Sequence, residues 1–331
     1  MRILETTIRD GSYVIDFKFS VQTTVEIVLA LEKFGFELIE IGHGAGMNAS
    51  RCGRGISIAS DEDYMKAVSL VLKKSMWGMF FIPGVGRFED IDMAVDYGMN
   101  FIRIGVDINK SHESHKYIEY AKKKGLFVSS NLMKSYIVSP EEFAMRAHMS
   151  YKAGADIVYL VDSAGSMLPE DIERYFLTTK EITNVKLGFH GHNNMCLAIA
   201  NTLKAIDCGA EIVDTTLQGI GRGGGNAPTE VLIAILLKKR LIKTFDLYNL
   251  LDFSENIIKP LLKEKGINAA TLISGYSMFN FNYFPIIKKY ADIYNINPLE
   301  LIVELCKINI INAPKQLVEK LALSIKDKNK S

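Results

Sequence analysis

Short runs of branched and aromatic residues recur every 25 to 40 residues along the first two-thirds of the chain, separated by segments whose apolar positions repeat near 3.6. The runs are Arg2–Ile8, Glu37–Ile41, Trp77–Ile82, Phe101–Val106, Leu126–Asn131, Asp156–Val161, Val185–Phe189 and Glu211–Leu217. They read as strands. Between them, Val21–Phe34, Asp63–Lys73 and Pro140–Ala153 have the spacing of amphipathic helices. Gly35, Gly98, Gly125 and Gly154 stand just before the next strand, where a helix terminus prefers glycine. Eight strand-then-helix units over about 240 residues give the count and length of a (β/α)8 TIM barrel. A doubly wound open sheet is the alternative, but it would use fewer strands, and no GxGxxG follows the first one.

Beyond about Thr229 the pattern is helical only, with helices predicted over Glu230–Lys239, Leu247–Lys265, Asn282–Tyr294 and Pro298–Lys307. Asn297-Pro298 resembles a helix start, with proline at the first helical position. The α/β chain therefore divides into a barrel domain, residues 1–265, and a C-terminal helical subdomain, residues 266–331. Apolar positions such as Leu299, Ile302, Val303 and Cys306 require this subdomain to pack on the barrel or on another chain.

The strand ending at Phe189 runs into His190-Gly191-His192-Asn193-Asn194. Residues i and i+2 of a strand share a face, so both imidazoles point the same way at its carboxyl end. Two such groups at the end of a buried strand pack poorly and ligate metals well. In a barrel, the carboxyl ends of the strands face the active site. Arg9-Asp10-Gly11 closes the first strand, and the first and seventh strands both flank the eighth. Asp10, His190 and His192 can therefore converge on a divalent cation such as Mn²⁺, Mg²⁺, Zn²⁺ or Fe²⁺. The glycine-rich segment Gly219–Asn226 lacks the Lys-Ser/Thr of a P-loop. It suits a close backbone approach that presents Asn226 as a further candidate ligand, while a phosphate or CoA cradle is its other use.

Bulk composition narrows the partners. A formal net charge of +1 supplies no field to recruit nucleic acid or a membrane surface. Cys52, Cys196, Cys208 and Cys306 show no CxxC spacing, which favours a reducing compartment. With no signal-peptide profile and no apolar run of bilayer length, a cytoplasmic protein is expected.

Six motifs occur in order: Ile8-Arg9-Asp10-Gly11, His43-Gly44-Ala45-Gly46, Pro83-Gly84-Val85-Gly86, Asp162-Ser163-Ala164-Gly165, the segment Gly188–Asn194, and Gly223–Pro228. Together with the segment Tyr290–Glu304, they make the chain resemble the 4-hydroxy-2-oxovalerate aldolase family of the HMG-CoA-lyase-like metallolyase barrels. The resemblance implies a divalent metal, typically Mn²⁺, on Asp10, His190 and His192, chelated by a 2-oxoacid that is joined to or parted from an aldehyde. It implies that Arg9 stabilises enolate charge, that Ser163 lies near the substrate carboxylate, and that Tyr276 closes the site. It also implies that Phe80 and Ile82 shape the aldehyde pocket. Each of the last three has a plainer use: Ser163 as a helix cap, Tyr276 as core packing, Phe80 and Ile82 as barrel filling.

The chain departs from the family pattern at several places. Tyr13 stands where the family has its acid/base histidine, and a phenol, with an ordinary pKa near 10, is a poor base at neutral pH. His43, or a water on the metal, is the expected substitute. Ala45 replaces a carboxylate. Asn309–Lys315 replaces the segment linked to the family's usual partner, an acylating aldehyde dehydrogenase, so that partner and a homo-oligomer both stand as expectations. Arg222 is closer to the RDGGY-type aldolase-domain proteins, which points to a substrate other than 4-hydroxy-2-oxopentanoate. Two rival readings are an acyl-CoA-dependent Claisen-type synthase and a non-catalytic partner-binding subunit.

Overall fold

A computed structural model describes residues 1–242, 245–262 and 268–328 of the chain. Eight parallel strands close into a barrel in sequence order: β1 (Arg2–Glu5), β2 (Leu38–Ile41), β3 (Met76–Phe81), β4 (Phe101–Asp107), β5 (Phe127–Met133), β6 (Ile157–Asp162), β7 (Leu187–Gly191) and β8 (Ile212–Thr215). β8 closes on β1, with Arg2 opposite Ile212 and Glu5 opposite Thr215. Around it lie α1 (Val21–Phe34), α2 (Asp61–Val71), α3 (Phe88–Asp96), α4 (His115–Lys123), α5 (Pro140–Lys152), α6 (Pro169–Ile182), α7 (Ala198–Asp207) and α8 (Thr229–Lys238). Ser20, Ser60 and Ser139 cap α1, α2 and α5, each accepting a hydrogen bond from the backbone N–H three residues on.

All eight predicted strands are present, and the differences at their ends have local causes. β1 stops at Glu5, three residues early. The buried Glu5 carboxylate accepts bonds from Thr7 N, Thr7 Oγ1, Leu217 N and Thr229 Oγ1, which draws the chain out of the ladder. Asp10 N then donates to Thr6 O, so Arg9 and Asp10 lie in a turn above the strand. The predicted helix from Leu247 is α9 only as far as Phe253, followed by a π-helical turn, Ser254–Ile258. Pro260 lacks an N–H and would clash with a carbonyl one turn back.

The barrel interior is layered. Leu4, Leu38, Phe101, Ile157 and Ile212 fill its lower end. Above them the inward positions turn polar: Glu40, Arg103, Asn131, Tyr159, His190 and Asp214, all buried. Two glycines make room. A Cβ at Gly78 would meet Phe101 at 2.2 Å, and one at Gly188 would meet the Tyr159 ring at 2.4 Å.

The C-terminal helices are α10 (Ala269–Tyr276), α11 (Phe284–Tyr294), α12 (Pro298–Cys306) and α13 (Lys315–Lys328). Phe279, Ile287, Leu301, Ile302, Leu305, Val318, Ala322 and Ile325 form a small core of their own. The expected domain boundary near residue 265 lies outside the described residues. Two contacts tie these helices to the barrel mouth. Gly275 packs so tightly that a Cβ there would meet Met195, Asn194 and Gly165 O at 2.6–3.1 Å. Lys134 Nζ, at the end of β5, binds Tyr283 Oη at 3.2 Å and Ile311 O at 3.1 Å, besides Asp107 Oδ2 at 2.8 Å. Among the described residues, no helix is long and apolar enough to cross a membrane.

Candidate active site

The carboxyl ends of the strands surround a cavity of about 630 Å³. On its wall are Arg9, Asp10, Tyr13, Phe80, Ile82, Ser163, His190 and His192, eight of the residues singled out from the sequence. Asp10, His190 and His192 are buried, and each offers one ligand atom within 4.8 Å of the other two. The two imidazole rings lie edge to face, with centroids 5.0 Å apart.

The tautomers are set from behind. His190 Nδ1 lies 2.8 Å from Asp214 Oδ2, a carboxylate that can only accept, so this nitrogen carries the proton. Its Nε2 faces Asp10 Oδ2 at 3.6 Å. His192 Nδ1 lies 3.1 Å from the Gly225 carbonyl, which again leaves Nε2 as the lone-pair nitrogen. Burial pushes the His192 pKa down to about 3, and nearby Arg222 adds to this, so its ring is neutral. Burial works against ionising Asp10, but Arg9 above all, then the histidines and Arg222, hold its carboxyl well below the usual range. One carboxylate and two imidazoles, each ring backed by an acceptor, fit a divalent cation. Small side-chain adjustments would bring these atoms to the roughly 2.0–2.3 Å that such ligands take. Asn226 Nδ2 donates to Asp10 Oδ2 at 2.7 Å, while its buried Oδ1 has no hydrogen-bond partner, so that oxygen remains as a fourth donor.

Behind the triad runs an ion-pair chain that sequence reasoning missed. Glu40 Oε2 accepts from Arg9 Nε and from Arg103 Nη1, both at 2.7 Å. Arg103 Nη2 pairs with the same Asp214 oxygen that holds His190. Arg103 is 1% exposed and its guanidinium also lies 4.7 Å from the Tyr159 ring. Burial opposes its charge, but Asp214 and Glu40 raise its pKa above even the usual value. The chain joins Arg9 to His190 through four barrel strands. Asp214→Asn should lower Mn²⁺ affinity by about 10–100-fold, the usual cost of losing an outer partner of a histidine ligand. Calorimetric titration checks this, and an unchanged affinity would remove Asp214 from the metal site.

Arg9 is held in one orientation. Nε is bound by Glu40, Nη1 lies 3.1 Å from Asp10 Oδ1, and the guanidinium carbon sits 4.8 Å from the Phe80 ring centroid. Phe80 is therefore a floor for the guanidinium as well as barrel filling. Ser163 Oγ accepts from Lys134 N at 3.0 Å.

Two expectations are corrected. Tyr276 does not close the mouth: it is 71% exposed and absent from the cavity wall. Gly275 is the residue that α10 presses against the barrel, which turns its neighbour outward. Tyr283, bound to Lys134, lines the cavity instead, with Asn280 and Asn282. Nor does His43 reach the wall, although Gly44 and Ala45 do. Its ring stacks on Phe17 with centroids 4.0 Å apart, its Nδ1 accepts from Ala45 N, and burial lowers its pKa to about 4. Its remaining nitrogen, Nε2, carries the proton and is buried. A buried N–H turned away from the cavity cannot take a proton from substrate. Tyr13 does line the cavity, and burial raises its pKa, so it is a neutral phenol.

Known proteins resemble this chain along its full length. The HMGL-like family model matches residues 1–257. A 4-hydroxy-2-oxovalerate aldolase from Carboxydothermus hydrogenoformans is 34% identical over all of this chain and 98% of its own length. One from Moorella thermoacetica is 31% identical over 99% of this chain and 97% of its own. The carboxyl transferase domain of Rhizobium etli pyruvate carboxylase superposes over 99% of this chain and 60% of that one, with a TM-score of 0.80 and 13% identity. At that identity the likeness concerns the fold alone.

Proposed function

The chain belongs to the HMGL-like family, in its 4-hydroxy-2-oxovalerate aldolase branch, and from that premise we propose a divalent-metal-dependent carbon–carbon lyase that cleaves or forms a 4-hydroxy-2-oxoacid through a pyruvate-type enolate. The observation that carries this reading is the buried Asp10, His190 and His192 triad with Arg9 fixed beside it. These three residues would hold the cation, with Mn²⁺ the expected ion. When bound it supplies a Lewis acid, which contributes several kcal/mol where charge develops on a 2-oxoacid oxygen.

The chain's own residues account for the rest. Arg9 presents a guanidinium whose Nε and Nη1 are engaged, so it meets enolate charge without reorganising. Ser163, on the wall beside Lys134, is assigned to the substrate carboxylate. Phe80 and Ile82 border the aldehyde half. Tyr13 is assigned as the acid: the C3 proton of pyruvate leaves to solvent water as the enolate forms, and the neutral phenol donates from Oη to the aldehyde oxygen as the new carbon–carbon bond forms, regaining its proton from water. A raised pKa suits this direction better than base-assisted cleavage. Tyr13→Phe should therefore lower kcat for condensation by about 10²-fold, within the usual range for a positioned acid, and change the KM for pyruvate little. An unchanged kcat in single-turnover assays would remove Tyr13 from proton transfer.

The C-terminal helices, fastened through Lys134 and Gly275, are assigned to covering one side of the mouth. An aldehyde dehydrogenase or a second copy of the chain remains the proposed partner for their outer surface. The test of the reaction class is product formation from pyruvate and an aldehyde by the Mn²⁺-loaded protein. A 4-hydroxy-2-oxoacid made without acyl-CoA supports the aldolase. Strict dependence on acyl-CoA would shift the assignment to a Claisen-type synthase.

A further inference from the structure

Six cationic side chains and three carboxylates line the cavity. Arg9 and Arg103 are paired with Glu40, and Lys134 with Asp107. Arg54, Lys110 and Arg222 have no carboxylate within ion-pair distance among the described residues. A cavity of about 630 Å³ is of drug-binding size, well beyond the needs of pyruvate and acetaldehyde together.

Two of these cations share the cavity wall with Tyr13. Arg54 and Arg222 both act electrostatically on Tyr13, and the Arg222 guanidinium carbon lies 5.9 Å from that ring's centroid. Arg54 arrives on an exposed loop whose next residue, Gly55, is packed. The Tyr13 ring lies against Gly44, where a Cβ would meet it at 2.5 Å, and Gly55 lies against Phe17, where a Cβ would meet the ring at 2.2 Å. Arg54 N also donates to Ala49 O at 3.0 Å. The opposite loop delivers Arg222, whose Nη2 lies 3.3 Å from His192 Nε2 and 3.5 Å from Ser163 O. That contact cannot survive metal binding, because Nε2 is the nitrogen left to ligate and a cation would repel the guanidinium. Arg222 must then find another acceptor, because Asp10, the carboxylate that acts on both Tyr13 and Arg222, is already paired with Arg9 and is itself a candidate ligand. Two arginines on the wall of a cleft focus positive potential where an anion would enter.

We propose that the acceptor aldehyde carries its own anionic group, a carboxylate or a phosphate, held between Arg54 and Arg222 beside Tyr13. The inference rests on the aldol reading above and names the substrate class for it. It also explains why the cavity carries Arg54 and Arg222 in addition to Phe80 and Ile82, which alone would suit a short-chain aldehyde. The anionic end fixes the aldehyde so that its carbonyl oxygen faces the Tyr13 hydroxyl.

Matched aldehyde pairs test it with pyruvate and Mn²⁺: 4-oxobutanoate against butanal, and glyceraldehyde 3-phosphate against glyceraldehyde. In the wild type, kcat/KM should favour the anionic member of at least one pair by about tenfold or more, the worth of one charge-assisted hydrogen bond. Arg54→Gln and Arg222→Gln should each reduce that ratio severalfold. Independently of turnover, the metal-free chain should bind inorganic phosphate or succinate by calorimetry, and the double variant should lose that binding. Mn²⁺ affinity should hold or rise in Arg222→Gln, since a competitor for His192 Nε2 has gone. Neutral aldehydes used as well as anionic ones would overturn the proposal while leaving the aldolase reading intact. So would a rise in pyruvate KM alone in Arg222→Gln with ratios unchanged in both variants. Failure of every aldehyde, together with no enolisation of pyruvate, would strike the aldolase reading instead.

Discussion

Asp10→Asn should leave the protein folded but unable to retain a divalent cation, and condensation should fall to background. Asparagine keeps the shape and loses the charge. In the parent, that charge is held by Arg9, whose Nη1 lies 3.1 Å away, and by the Asn226 amide at 2.7 Å. Without it two imidazoles face a cation beside Arg9 and Arg222, and the remaining carboxylates, Glu40 and Asp214, are already paired with Arg9, Arg103 and His190. Mn²⁺ affinity should therefore drop by more than the roughly 10–100-fold lost with an outer partner. Calorimetry and a thermal melt check both halves of the expectation. A folded variant with parental Mn²⁺ affinity would place the metal elsewhere.

Arg9→Lys should lower kcat by about 10²–10³-fold, the range seen when a single preorganised donor is removed from a developing oxyanion. The charge is conserved, but the geometry is not. The guanidinium bonds Glu40 through Nε, Asp10 through Nη1 and lies over Phe80, and a lysine ammonium cannot make all three contacts at once. Glu40 would keep Arg103, so the fold should survive. Steady-state kinetics separates the alternatives: an unchanged kcat with a raised KM would make Arg9 a binding group only.

The barrel was legible because parallel strands buried on both faces read as continuous apolar runs, and the helices that cover them carry one apolar stripe. The candidate metal triad was legible for a related reason: His190 and His192 break such a run at its carboxyl end. Glu40, Arg103 and Asp214 were missed although they left a similar trace. Each is a lone charge inside an apolar run, as in Leu38-Ile39-Glu40-Ile41 and Ile212-Val213-Asp214-Thr215. Burial of such a charge requires a partner, and pairing them across the barrel would have linked Arg9 to His190. The errors lay outside the strands. Motif position set Tyr276 at the mouth, but which residue of α10 faces the barrel depends on the close fit at Gly275. His43 was chosen by residue type, and its orientation depends on Phe17, four residues beyond Tyr13 on another loop. Arg222 was noticed as a departure, but its contact with His192 follows only from the path of the glycine loop.

The central claim is that this chain enolises a 2-oxoacid at the Asp10, His190 and His192 centre with Arg9 beside it. Deuterium uptake at C3 of pyruvate in D₂O, followed by NMR without aldehyde or acyl-CoA, tests it most directly. Exchange should require the divalent cation, exceed that of the free ion, and be lost in Asp10→Asn and Arg9→Lys. Exchange no faster than with the ion alone, or appearing only once an acyl-CoA is added, would contradict the account.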